Sequence, residues 1–339
     1  MRQWTAAVLF AALLLQMAAV AAAETDGKNP SAPKAVEPAV IGTPQPGPPE
    51  ESGGKDTDTA FGYYQRGYYL TAFAVATRLA VKGDPTSQTL IGVLYEEGQG
   101  VIRDMKKAAS WYEIAAANGD REAQYRLGLL HLKGSGVAQN LFRAADLFDK
   151  SAAAGQPSAM YNLAVLILDG KTANPDVKQA ADLFRRAALA NNTDAQYAYA
   201  LMLRAGDIIP QDLAESTRMF KMAALESHSD AQVEYAIALF NGRGTPADEA
   251  AAARWFTVAA ESGHVIAMNR LARQYVIGRG RKVDLMEAAI WHLIARGQGL
   301  SDLWLDEKIA PLSKEDRAKA EQRAAKWLSK RTVDQFTIK

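Results

Sequence analysis

The chain has 339 residues, 48% of them hydrophobic, with a formal net charge of +1 and no cysteine. A balance this close to neutral gives no sign of a nucleic-acid partner, and none is expected. The absent cysteines exclude a disulfide framework, which a chain able to bury a long core does not need.

Residues 1–23 read as an export signal. Met1-Arg2 precedes an almost wholly apolar run, Trp4–Val20, and Ala21-Ala22-Ala23 closes it before Glu24. Small residues at the first and third of those alanines fit signal-peptidase cleavage after Ala23, which places the mature chain in a bacterial periplasm. The rival is an uncleaved inner-membrane anchor facing the periplasm, since about 20 apolar residues span a bilayer. Gln16 and the alanine-rich composition favour cleavage. Membrane contact is expected only under the rival reading.

Residues 24–57 carry Pro30, Pro33, Pro38, Pro44, Pro46, Pro48 and Pro49 among Gly, Ser and acidic residues. That composition builds no core and predicts a disordered, extended tether. Residues 58–84 predict a degenerate N-terminal capping repeat. Ala72 and Gly83 stand 36 residues before Ala108 and Gly119, and Tyr63-Tyr64 and Tyr68-Tyr69 flank Gly67.

From residue 85 to residue 299 a period of 36 residues governs the chain, and six units open on Ser87-Gln88, Ala123-Gln124, Ala159-Met160, Ala195-Gln196, Ala231-Gln232 and Ala267-Met268. A period of this size marks a solenoid of stacked supersecondary units. Offset five holds a small residue, from Gly92 and Gly128 to Ala272, and offset eleven a glycine, from Gly98 to Gly278. Apolar residues three and four apart predict a first helix ending at that glycine in the left-handed conformation. At offset seventeen Asp104, Asn140, Asp176, Asp212, Asp248 and Asp284 predict N-caps of a second helix. Asp212 with Glu215 and Asp284 with Glu287 have capping-box spacing. Paired alanines such as Ala108-Ala109 allow close helix approach, and a large residue at offset twenty-four (Trp111, Leu147, Leu183, Met219, Trp255, Trp291) is expected to fill the groove between helices. Residues 300–330 predict C-terminal capping helices over Leu303–Ile309 and Ser313–Leu328, with Ser313 as N-cap and Trp304 and Trp327 as anchors.

The stretch from Ala123 to Val137, followed by Arg143–Phe148 and Ala152–Gly155, resembles the Sel1-like repeat, a relative of the tetratricopeptide repeat. The resemblance covers Pro85 to about Gly299. It implies an all-α, right-handed superhelical solenoid and an adaptor role, often in bacterial envelope or signalling proteins, and it carries no catalytic residue across. Units three and four depart from it: Thr172 and Ile208 replace the second loop glycine seen as Gly100, Gly136, Gly244 and Gly280, so their loops are expected to differ.

No catalytic, cofactor-binding or metal site is predicted. His131, His228, His264 and His292 fall in different units, and none has a His or carboxylate at ligand spacing; His131 takes the place of a tyrosine and reads as a core or rim residue. Ser31-Ala-Pro-Lys34 and Ser52-Gly-Gly-Lys55 match S-x-x-K but lie in the tether, without the scaffold such a nucleophile needs. Gly170-Lys171-Thr172 fails as a phosphate loop because Val165 stands where its first glycine belongs.

By analogy with tetratricopeptide repeats, the first helices line a concave face. There Tyr125, Tyr161 and Tyr197 recur at one offset and would form a ladder suited to an extended peptide, with Arg126, Asn162, Glu234 and Arg270 beside them. The alternative for the tyrosines is plain packing between first helices. The function expected is a non-enzymatic protein–protein interaction scaffold in the bacterial envelope, engaging a protein or its extended segment. The rivals are a cell-wall-active or β-lactam-binding enzyme and a peptidoglycan or glycan binder.

Overall fold

The structure is a computed structural model and describes residues 56–337. The expected signal (1–23) and the tether up to residue 55 lie outside the described residues. Helix begins at Asp56, one residue before the expected end of the tether. Sixteen helices and no strand are found among the described residues, which divide into two compact units at Ser151.

The first unit contains α1 (Asp56–Gln65), α2 (Tyr69–Ala80), α3 (Pro85–Glu97), α4 (Met105–Ala117) and α5 (Arg121–Lys133), and α6 (Leu141–Ala153) closes it. The second holds α7 (Pro157–Leu168), α8 (Val177–Leu189), α9 (Thr193–Ala205), α10 (Leu213–Leu225), α11 (Ser229–Asn241), α12 (Glu249–Glu261), α13 (Val265–Ile277), α14 (Leu285–Gly297), α15 (Leu303–Ile309) and α16 (Lys314–Thr337). Within each unit, successive helices pack as antiparallel pairs and the pairs stack in chain order. The fold is an all-α solenoid.

The helix ends follow from side chains that satisfy free backbone groups. Glycines at offset eleven are all left-handed, with φ of 71° at Gly98, 65° at Gly170 and 70° at Gly278. Every predicted second-helix cap is made, from Asp104 accepting the Lys107 amide at 3.0 Å to Asp284 accepting that of Glu287 at 3.0 Å. The capping boxes are only half formed. The Asp212 and Asp284 amides already donate to the Leu203 and Tyr275 carbonyls at 3.0 Å. Glu215 and Glu287 therefore turn outward, to Arg218 and Arg323.

The opening phrase has a structural reason that spacing did not show. Gln88, Gln124, Gln196 and Gln232 are buried, and each amide donates to a carbonyl eight residues back, at the end of the preceding helix. These bonds tie each pair to the one before it.

The groove-filling expectation holds in units two to four, where Leu147, Leu183 and Met219 are buried, and fails where the residue is tryptophan. At offset twenty-four Trp111, Trp255 and Trp291 stay partly exposed, whereas the next residue along, Tyr112, Phe148, Phe184, Phe220, Phe256 or His292, is buried. The large ring at offset twenty-five meets the small residue at offset five; a Cβ at Gly92 would strike the Tyr112 ring. Size is thus exchanged between the two helices of each pair.

Unit three departs as expected. Its first helix stops a residue early, at Leu168, with Asp169 right-handed before Gly170. Unit four keeps the ordinary end: Gly206 is left-handed and the Asp212 amide bonds Leu203 as the Asp248 amide bonds Leu239 in unit five. The expected difference there reduces to one missing left-handed residue, at Ile208.

At the C-terminus Ser313 caps α16 by accepting the Asp316 amide at 3.0 Å, and the helix runs to Thr337, beyond the expected end at Leu328. Trp327 meets Trp291 edge-on at 6.3 Å, and buried Leu305, Ala320 and Ala324 complete the last core face.

Candidate functional site

Tyr125 lies in the first unit, and Tyr161 and Tyr197 in the second, all at the same place on their first helices. Each is half-buried. Each ring packs on the offset-twenty-five phenylalanine of its own pair, at 5.9 Å to Phe148, 5.7 Å to Phe184 and 5.8 Å to Phe220. Burial, with Asp194 adding to it, pushes the Tyr161 phenol above its ordinary value. The same happens at Tyr197 through burial, Asp230 and Glu234. Packing therefore takes part of each ring, and the Tyr197 ring also stacks on the His228 imidazole at 4.6 Å.

The polar neighbours separate. Arg126 donates to Glu122 at 2.7 Å and to Glu96 at 3.1 Å, and Glu96 also accepts the Tyr112 hydroxyl at 2.5 Å. That network locks its charge within the first unit. Asn162 donates to the Ser158 carbonyl at 2.8 Å, a local helix bond. Glu234 and Arg270 come together in the second unit, where they border a pocket of about 530 Å³.

That volume suits a small ligand or a short stretch of peptide. The walls are first helices α9, α11 and α13 with Phe256 of second helix α12, closed by Trp304 of α15. Ile237, Phe240, Phe256 and Ile277 give it apolar surface, and Arg204, Arg243, Arg270 and Arg273 face a single lining carboxylate, Glu234. Arg204 pairs with Glu234. Arg273 grips Asp302 through two nitrogens at 2.7 and 2.9 Å and stacks over Trp304 at 4.8 Å. Burial opposes ionisation of Asp302, yet the bonds from Asn269 and Arg273 hold its carboxyl below the usual range. Arg243 and Arg270 are exposed and have no ion-pair partner among the described residues.

Gln274 also lines this pocket. It is 3% exposed, and neither its amide nitrogen nor its amide oxygen has a hydrogen-bond partner. At the same offset the other units carry Leu94, Leu130, Leu166, Met202 and Ala238. The lone polar residue in an apolar column was a legible signal, and the sequence reading passed over it. Arg204, Arg273 and Trp304 were missed for a different reason: they sit at unrelated offsets and meet only through folding.

The histidines also differ from expectation. His228 and His264 cap first helices by accepting the Ala231 and Ala267 amides, and His264 bonds Asp230 at 2.9 Å. His292 is buried and bonds Asp306 at 2.7 Å. Carboxylate partners 14 and 34 residues away are invisible to a search at ligand spacing. His131 is half-buried with Nδ1 3.2 Å from the Ala138 carbonyl, a rim residue as expected. Among the described residues no cluster of three or more His, Cys, Asp or Glu side chains is placed to hold a metal, and no helix is long and apolar enough to cross a membrane.

The Sel1 repeat model matches residues 85–120, 121–156, 157–192, 193–228, 229–264 and 265–300. A solved Sel1 repeat protein from Oxalobacter formigenes is similar over 74% of this chain and 100% of its own, at 26% identity and a TM-score of 0.62. A protective antigen of uropathogenic Escherichia coli strains with an SLR fold is similar over 81% of this chain and 68% of its own, at 23% identity and a TM-score of 0.56; it shares the fold. Among curated proteins none matches the chain.

Proposed function

The chain belongs to the Sel1 repeat family, and on that premise we propose that it is a non-enzymatic interaction scaffold of the bacterial envelope. Repeat proteins of this family are generally protein-interaction scaffolds. Here the first helices engage an extended segment of an envelope protein. The observation that carries this is the half-exposed tyrosine at one fixed offset in two consecutive repeats of the second unit, Tyr161 and Tyr197, with Tyr125 at that offset in the first unit, each ring seated on a buried phenylalanine. A ring held this way loses little freedom on binding and offers both an apolar edge and a hydroxyl.

The setting follows from the N-terminal sequence: cleavage after Ala23 releases the chain to the periplasm. Mass spectrometry of the protein from its native host should then find Glu24 as the first residue. An intact Met1 chain in the membrane fraction would contradict the cleavage.

Replacing all three tyrosines by Phe keeps the rings on their phenylalanines and removes the polar edge. The envelope protein recovered by affinity capture should bind this variant at least tenfold more weakly, with the melting temperature unchanged. Equal affinity would remove the tyrosine face as the site.

A further inference from the structure

We propose that the pocket between α9, α11 and α13 binds an extended acidic peptide segment, with Gln274 pairing to a main-chain amide of that peptide. The inference rests on the scaffold reading above and assigns it a second contact region, distinct from the tyrosines.

Gln274 carries the argument. A side-chain amide buried without partners loses its hydrogen bonds to water and recovers none, so it destabilises the free fold. The other five units show that this position packs well with Leu, Met or Ala. Nothing in the packing of α13 requires an amide there. Such a group gains its partners when something enters the pocket that it lines. A carboxamide offers one acceptor oxygen and two N–H donors, which matches the donor and acceptor of a peptide unit.

Charge fixes the class of peptide. Arg204 and Arg273 are neutralised by Glu234 and Asp302, whereas Arg243 and Arg270 are exposed with no ion-pair partner among the described residues. Two free guanidiniums at the rim of an apolar pocket favour carboxylates, which they can hold bidentately, and disfavour lysine or arginine. Trp304, Phe240 and Ile277 then accept an apolar side chain between the acidic ones. The expected ligand is a strand-like stretch with acidic residues flanking an apolar one.

The test uses random linear octapeptides displayed on phage, panned against the full chain and two variants, Gln274→Leu and the double variant Arg243→Glu/Arg270→Glu. Enriched peptides should carry an excess of Asp and Glu. Their synthetic forms should bind Gln274→Leu at least tenfold more weakly, even though that variant melts higher than the parent. The double variant should lose them and enrich Lys- and Arg-containing peptides instead. Enrichment without acidic bias, or affinity indifferent to Gln274→Leu, overturns the proposal. Peptides lost only in the triple Tyr→Phe variant leave the scaffold reading standing and sink this one. No enriched peptide at all counts against both.

Discussion

The ring of Phe148 lies directly over the backbone of Gly128, so that a Cβ on Gly128 would stand 2.6 Å from Cε1 of the ring. No real Cβ tolerates that distance, and Phe148 is itself fully buried. The small residue at offset five is therefore a seat for the large one at offset twenty-five. Gly128→Ala gains about 1 kcal/mol of helix propensity but overpacks the contact by roughly 1–3 kcal/mol. A net loss of about 1 kcal/mol should appear in denaturant melts. Adding Phe148→Leu to Gly128→Ala should recover part of it, and failure of that rescue would mean the ring is not what Gly128 accommodates.

Two left-handed glycines should respond very differently to the same change. Gly170 has φ of 65° with open space around its Cβ position. Gly170→Ala should cost only the left-handed strain, about 1 kcal/mol. Gly244 has φ of 66°, but a Cβ there would fall on the carbonyl of Leu213, at the start of α10. That carbonyl is backbone and cannot rotate away, so Gly244→Ala must displace a helix end and should cost about 3 kcal/mol or more. Equal thermal shifts for the two variants would show that backbone approach is not the second glycine's role.

The cap at His228 predicts a pH dependence with a definite sign. Burial holds its imidazole below the ordinary value of 6.5, against the opposing pull of Asp194 and Asp230. The unfolded chain then binds this proton more readily than the folded one. The contribution is complete above pH 6.5 and is lost as pH falls from there through the lowered folded value, at no more than about 1.4 kcal/mol per pH unit. His228→Asn installs the cap that Asn192 already provides one repeat earlier. Stability of the variant minus that of the parent should rise between pH 7 and pH 5. A constant difference across that range would exclude titration of His228.

These cases show what the sequence made legible. Helix ends were readable because Gly278 and Asp284 act within their own loop, through local backbone geometry and one short bond. The period made the stacking readable for the same reason, since Ala and Gln recur wherever one pair meets the last. Offset twenty-four is core at Leu147, Leu183 and Met219 but only partly buried at Trp111, Trp255 and Trp291, where Tyr112, Phe256 and His292 lie deeper; size is not depth. The direction of a helix face relative to its partner decides which of two adjacent residues turns inward. For the candidate site, Glu234 and Arg270 were legible as neighbours at one offset. Arg204, Arg273 and Trp304 were not, because three different elements bring them to one pocket.

The C-terminal helices supply the last prediction. Trp327 meets Trp291, Leu328 lies against Gly297, and Asp306 provides the bond to the buried His292. Removing residues 300–339 uncovers this face and strips His292 of its partner. An apolar end of a stack is complementary to another such end, so the truncated chain should self-associate or aggregate in a concentration-dependent way. Asp306→Ala separates the two effects. It leaves the apolar cover in place, orphans the His292 Nε2 and releases the exposed Arg296 at 3.5 Å, which should together cost about 1–3 kcal/mol while the chain keeps the association state of the parent. Light scattering together with melting curves distinguishes them. A truncated chain with the parent's mass and melting temperature would show that α15 and α16 are an appendage and that the stack is already closed at α14.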